Sequence, residues 1–169
     1  MDLSLLAFVS AIYYILPAYF ANATPMLFKG KKPIDFNRRF IDGKPIFGAH
    51  KTIRGFISGL IAGSIVAIIQ KIIALPTMQS SLAIGLLLTF GALIGDLVGA
   101  FIKRRVNIPP GEPFPLLDQL DFVVSAFLFA SIIAPPKIET VIFVVIITPL
   151  LHVLTNFLAF ILKIKDRPF

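Results

Sequence analysis

With 169 residues, 57% of them hydrophobic and 15% charged, and a mean hydropathy of +0.90, the chain carries more apolar side chain than a soluble domain can hide. A bilayer crossing takes ~20 apolar residues, so about five crossings leave room only for loops and short tails. The absence of cysteine excludes disulfide frameworks, Cys-ligated zinc, iron–sulfur clusters and thiol nucleophiles, and the net charge of +7 must gather in short segments facing water or an anionic ligand.

Apolar windows predict an all-α polytopic membrane protein with five transmembrane helices, near residues 3–21, 56–73, 82–102, 122–134 and 141–162. The first ends in Ala21-Asn22-Ala23, which imitates a signal-peptidase site, but it opens with Asp2 and lacks a basic leading region, so a retained helix is expected. Between the first two spans, residues 29–54 hold eight Lys and Arg. The turn around residues 76–81 is short. After the third span, Lys103, Arg104 and Arg105 open a loop over residues 103–121. The fourth span is the weakest, with 13 residues before Pro135 and Pro136, and calls for tilt, extension or a thinned bilayer. The fifth runs into a tail with Lys163, Lys165 and Arg167. One side thus collects 14 of the 16 basic residues, leaving Lys71 and Lys137 for the other. The positive-inside rule then puts the N-terminus outside and the C-terminus in the cytoplasm, with residues 29–54 and 103–121 as cytoplasmic loops. Function is expected at that face of the cell membrane.

Three constellations carry candidate chemistry. Asp96 stands inside an apolar span, where a carboxylate at the bilayer centre costs ~2.5–3.5 kcal/mol and is a site hypothesis by default. Lys103 lies two turns further along the same face, and Gly91, Gly95 and Gly99 favour close packing around the carboxylate. Asp118 and Asp121, three apart at the start of the fourth span, would point the same way on a helix. Neighbouring carboxylates repel unless protonated or bridged by a cation, and hard oxygen donors without Cys or clustered His suit Mg²⁺. Asp96, Asp118 and Asp121 are therefore the candidate metal ligands. Helix capping is the plainer explanation of Asp118 or Asp121 alone.

The third constellation, Asp42 to Gly55, runs two glycines, a hydroxyl and cations into a helix N-terminus and has the makings of a phosphate cradle. It is not a Walker loop, because two residues separate Gly48 from Lys51 and no strand precedes it. Acidic metal ligands, a basic clamp and helix N-termini at one face together suit a Mg²⁺–polyphosphate, with a lipid as second substrate.

Ala100-Phe101-Ile102-Lys103-Arg104, followed by Gly111 and Asp118-Gln119-Leu120-Asp121, resembles the signature of the CDP-diglyceride synthetases. Ala100 stands where that signature has Ser, Gln119 where it has Arg, and its Lys-Asp and His-Gly-Gly elements are missing. The chain is more similar to the archaeal branch, the CDP-archaeol synthases, through Pro17 to Asn22, Pro25, Lys32 to Phe36, Asp42-Gly43, His50 to Gly55, Gly95-Asp96 and Pro110 to Asp121. The resemblance implies transfer of CMP from CTP to 2,3-bis-O-geranylgeranylglycerol 1-phosphate, giving CDP-archaeol and pyrophosphate. It implies Mg²⁺ on Asp96, Asp118 and Asp121, catalytic roles for these with Lys103 and Arg104, and nucleotide or phosphate contacts from Asn22, Gly48, His50, Lys51, Thr52, Arg54 and Gly55. Expected partners are CTP, the isoprenoid ether lipid phosphate and membrane lipids, not nucleic acid, with glycine-rich helix faces that could pair two copies.

Three rivals make different predictions. A transporter or channel needs polar groups through the midplane, where only His152, Thr155 and Asn156 of the fifth span are candidates, as interhelical hydrogen-bonding residues. A CDP-alcohol phosphatidyltransferase needs an Asp-x-x-Asp-Gly-x-x-Ala-Arg pattern that is not present. An inert scaffold for anionic lipids predicts that Asp96→Asn changes nothing.

Overall fold

The computed structural model describes residues 3–28, 30–75 and 81–163; Lys29, residues 76–80 of the second turn and the tail cations Lys165 and Arg167 lie outside the described residues. Five α-helices account for the described architecture: α1 (Leu3–Leu27), α2 (Ile53–Ile73), α3 (Leu82–Arg105), α4 (Leu117–Ala130) and α5 (Ile138–Ile161). Two isolated β-bridges are the only extended pairing among the described residues. Four helices are long and apolar enough to cross a membrane, within α1, α2, α3 and α5. The 14 residues of α4 rise about 21 Å, short of a hydrocarbon core of ~30 Å.

The helices depart from the apolar runs at their ends. Instead of stopping near residue 21, α1 continues through Pro17 and Pro25. A proline deprives the carbonyl four residues back of its N–H partner. For Pro17 that carbonyl belongs to Tyr13, and Gln70 Nε2 of α2 donates to it at 2.5 Å, while the Tyr13 hydroxyl donates to the Gln70 carbonyl at 3.3 Å. Polar residues also extend α3 to Arg105 and start α4 at Leu117, not near 122. Lys103, Arg104, Asp118 and Asp121 are thus helical. After Ala130 the chain turns through Ser131–Ile133, ending α4 four residues before its predicted limit.

Glycines set the spacing between helices. Gly55, Gly59 and Gly63 repeat every four residues along the buried face of α2, a stripe the sequence reading passed over. A Cβ on Gly63 would stand 2.6 Å from the Thr89 side chain and 2.7 Å from the Pro17 carbonyl oxygen, so α1, α2 and α3 meet through backbone. Gly91, Gly95 and Gly99 give α3 the same closeness to antiparallel α4. These faces are consumed within the protomer, which removes the observation that suggested pairing of two copies. Ile15, Leu88, Val123 and Val144 fill the core, and α5 joins α1 through the Tyr19–Thr148 hydroxyl contact at 2.8 Å and the Phe8–Phe143 edge.

Gly95 and Gly99 should respond differently to alanine. A Cβ at Gly95 meets the Asp121 carbonyl and the Ser125 Cβ, so α3 and α4 must separate, at the ~1–3 kcal/mol typical of overpacking. A Cβ at Gly99 meets the Asp121 carboxylate itself, which can swing away. Gly95→Ala should therefore lower the melting temperature more, whereas Gly99→Ala should depress turnover with a smaller stability change; thermal melts beside activity assays check the contrast.

Candidate active site

The segment between α1 and α2 folds by pairing its two ends. Pro33 bridges Thr52, Ile34 N–H donates to the Lys51 carbonyl at 2.7 Å, and Ile53 N–H to the Lys32 carbonyl at 3.1 Å. Thr52 then caps α2 by accepting the Gly55 N–H at 3.1 Å. Asp35 is the internal tie. Its carboxylate accepts N–H groups from Asn37 at 3.0 Å, Phe47 at 2.9 Å and Gly48 at 3.0 Å, closing a turn in which Phe36 and Asn37 take positive φ. Burial alone would raise the Asp35 carboxyl, but the Gly48, Phe47 and Asn37 donors outweigh it and hold the group below its ordinary 3.8. Because the folded value is depressed, this stabilisation is present above pH 3.8 and is lost as pH falls through the lower folded value. The melting temperature of wild type should therefore exceed that of Asp35→Ala at neutral pH, with the gap narrowing in acid.

This segment locks onto the end of α3. Arg105 pairs with Asp42 at 3.1 Å, donates to the Pro45 carbonyl at 2.5 Å, and lies over the rings of Phe101 and Phe40 at 4.4 and 5.1 Å. Lys44 Nζ donates to the Arg105 carbonyl at 2.8 Å. Gly48 has φ +98° and backs onto Pro110, where a Cβ would come within 2.9 Å, and His50 lies beside Gly111. The two predicted loops are thus one layer over the same end of the bundle.

Beneath it the charges sort into pairs. Asp96, about 14 Å of helix rise from the end of α3, takes Lys51 Nζ at 2.5 Å. Lys103, though on the face predicted for Asp96, instead donates to both carboxylate oxygens of Asp118 at 2.8 and 2.9 Å and to the Glu112 carbonyl at 2.5 Å. An ammonium has three donors, so Lys103 is fully committed and has none left for a phosphate in this arrangement. Asp118 also accepts the Phe114 N–H at 2.8 Å. Asp121, one turn on, rests its carboxylate in the space above Gly99 and its carbonyl on Gly95, the two glycines that straddle Asp96. Its Oδ1 accepts the Phe122 N–H at 2.6 Å.

Among the described residues no group of three His, Asp or Glu is drawn together as a metal centre, although Asp121 lies within electrostatic reach of both Asp96 and Asp118. Asp118 is held by Lys103, while Asp96 and Asp121 share the α3–α4 seam. That pair still fits Mg²⁺, which takes one or two carboxylates and completes its shell with phosphate oxygens and water. Arg104 is buried, with Nε and Nη1 making no hydrogen bond among the described residues, and its Cδ lies near Gly48. A buried guanidinium with unused donors suits a phosphate.

Other expected site residues fall into supporting places. The Thr52 hydroxyl serves the α2 cap, Gly55 is buried against Pro25 and Thr52, and Asn22 stands on α1 three residues before Pro25. Arg54 is exposed, on the side of α2 that faces Gly30. His152 and Asn156 bond to one another within α5 at 3.1 Å, and the Thr155 hydroxyl donates to the His152 carbonyl at 3.2 Å. Asp35 and Arg105 were missed as organisers, because most of the partners each gathers come from distant stretches of chain that the sequence does not bring together.

Comparison with known proteins matches residues 3–169 to the family described as CarS-like: CDP-archaeol synthase. A CDP-archaeol synthase of Pyrococcus furiosus is 45% identical over 162 residues, covering 95% of this chain and 97% of the relative. One of Methanocaldococcus jannaschii is 42% identical over 167 residues, covering 93% and 94%. A solved structure described as an intramembrane enzyme for archaeal membrane lipids biosynthesis superimposes with a TM-score of 0.79 at 35% identity, over 86% of this chain and 92% of that one.

Proposed function

The chain belongs to the CDP-archaeol synthase family, and from that membership we propose that it is the multi-pass membrane transferase that moves CMP from CTP to 2,3-bis-O-geranylgeranylglycerol 1-phosphate, with the reaction at the cytoplasmic face. The observation that carries the siting is the Lys51–Asp96 pair at 2.5 Å, adjoining Asp121 and roofed by the layer that Asp35 and Arg105 hold together.

In the reaction a lipid phosphate oxygen attacks the α-phosphorus of CTP in line, the bond to the β-phosphate oxygen breaks, and pyrophosphate leaves. The nucleophile is already anionic, so the protein's work is positioning and charge compensation. Bound Mg²⁺ would neutralise phosphate charge, and Asp96 with Asp121 would hold it. With Asp96 serving as a metal ligand, Lys51 beside it would be available to a phosphate. Arg104 binds a phosphate of the nucleotide through its unused donors. Lys103 acts as a positioning residue, fixing Asp118 and thereby the start of α4 that carries Asp121.

Purified protein supplied with CTP, Mg²⁺ and the ether lipid phosphate should form a CDP-lipid. EDTA should stop the reaction and added Mg²⁺ restore it. A rate indifferent to chelation would remove Mg²⁺ from the account, and no CDP-lipid from intact protein would remove the function. A transporter instead predicts solute flux in proteoliposomes without a lipid product.

A further inference from the structure

Residues 38–46 form a small hairpin in which Arg39 bridges Pro45, the Phe40 N–H donates to the Lys44 carbonyl at 2.8 Å and the Ile46 N–H to the Arg38 carbonyl at 3.3 Å. Arg105 fastens it to α3, since Asp42, the Pro45 carbonyl and the Phe40 ring all meet that one guanidinium. Arg105 follows Asp96 by nine residues, two and a half helical turns, so the two side chains leave opposite faces of α3. Phe101, four residues before Arg105 and on its face, supplies the second ring. The segment from Phe40 to Lys51 therefore saddles the end of α3, held at one end on the Arg105 face and reaching Asp96 at the other through Lys51. Between the two, Gly48 backs onto Pro110 and the stem of Arg104, and its carbonyl accepts the Lys51 N–H at 3.2 Å.

We propose that Arg105 is a positioning residue for the nucleotide: by latching the hairpin to the far face of α3 it keeps Lys51 and Arg104 in place for the phosphates. This rests on the reaction proposed above and adds a residue that governs it without touching nucleotide, lipid or metal. Its place opposite Asp96 denies Arg105 a contact of its own with a phosphate in the Asp96–Asp121 seam, so its effect must travel through the hairpin. The route is short. From the Pro45 carbonyl that Arg105 holds, the chain runs three residues to Gly48, whose N–H is tied with that of Phe47 to Asp35 and whose carbonyl is tied to Lys51. Arginine suits the position because a planar fork pairs with a carboxylate, reaches a carbonyl and stacks on rings at once, which an ammonium cannot do. With the latch broken, binding must first order the segment that carries Lys51. That cost falls on nucleotide affinity and disappears from the rate once nucleotide is saturating.

Asp42→Asn and Arg105→Met break the same latch from its two sides. Each should raise KM for CTP about tenfold, the scale set by groups that orient a ligand they do not share. Turnover at saturating CTP and KM for the lipid acceptor should stay within about twofold, as expected when only uniform binding is lost. Arg105→Lys, which keeps the charge and loses the fork, should recover only part of the affinity. Hydrogen exchange reads the latch without turnover: the peptide spanning residues 44–51 should exchange faster in both variants while α2, α3 and α4 exchange as in wild type, and CTP with Mg²⁺ should restore its protection. A wild-type KM for CTP in folded Asp42→Asn, or a lower kcat at unchanged KM, would overturn the proposal. Faster exchange spread through the helices would equally overturn it, by marking a merely structural role. If wild type makes no CDP-lipid, the reaction assignment falls by itself, because exchange in residues 44–51 still reports the latch.

Discussion

Asp96→Asn should yield a folded protein whose turnover falls on the order of 10³-fold, the scale seen when a group that compensates transition-state charge is removed. Asn keeps the shape of the side chain and loses its charge, leaving Lys51 without the carboxylate it now contacts at 2.5 Å. An ionised carboxylate within an apolar helix costs ~2.5–3.5 kcal/mol on insertion scales, so its removal carries little stability penalty and can even raise the melting temperature. Intact folding with lost catalysis separates a reacting carboxylate from a structural ion pair, whose loss would act chiefly on stability. Melting curves beside CTP-dependent turnover make the comparison. Turnover within about tenfold of wild type would exclude Asp96 from the charge-compensating role.

Lys103→Met should be severe in a different way. Lys103 is 8% exposed, and its removal leaves Asp118 with the Phe114 N–H as its remaining described partner. Breaking a buried pair from one side costs ~3–5 kcal/mol, and the partial exposure of Asp118 places this case near 3 kcal/mol. The double variant Lys103→Met/Asp118→Leu removes both charges and should regain most of the stability. Because all three Lys103 donors are already used within the protein, turnover should return with it, to within about tenfold of wild type. A stable double variant that stays inactive would show that Lys103 or Asp118 itself acts at the site and does more than hold the other.

Five helices were legible because each rests on a run of apolar residues, and their ends were not because the end-determining groups are tertiary. Pro17 looks like a break until Gln70, 53 positions away, supplies the donor that the Tyr13 carbonyl lacks. The start of α4 was hidden by Asp118 and Asp121, polar residues that read as loop but sit in its opening turns, after Leu116 at φ 66°. Asp96 stood out because an intramembrane carboxylate is costly. Its partner did not: helical spacing points to Lys103, whereas folding brings Lys51 from a segment 45 residues earlier. The roles of Asp35 and Arg105 were illegible for the same reason, since each gathers partners from more than one stretch of chain.

The most direct measurement follows two phosphorus labels. CTP labelled at the α-phosphate should transfer its label to the lipid fraction, in step with pyrophosphate release and in proportion to the ether lipid phosphate supplied, while label at the γ-phosphate remains in water. Label from the γ-position entering the lipid, or none from the α-position with folded protein and Mg²⁺ present, would contradict the account.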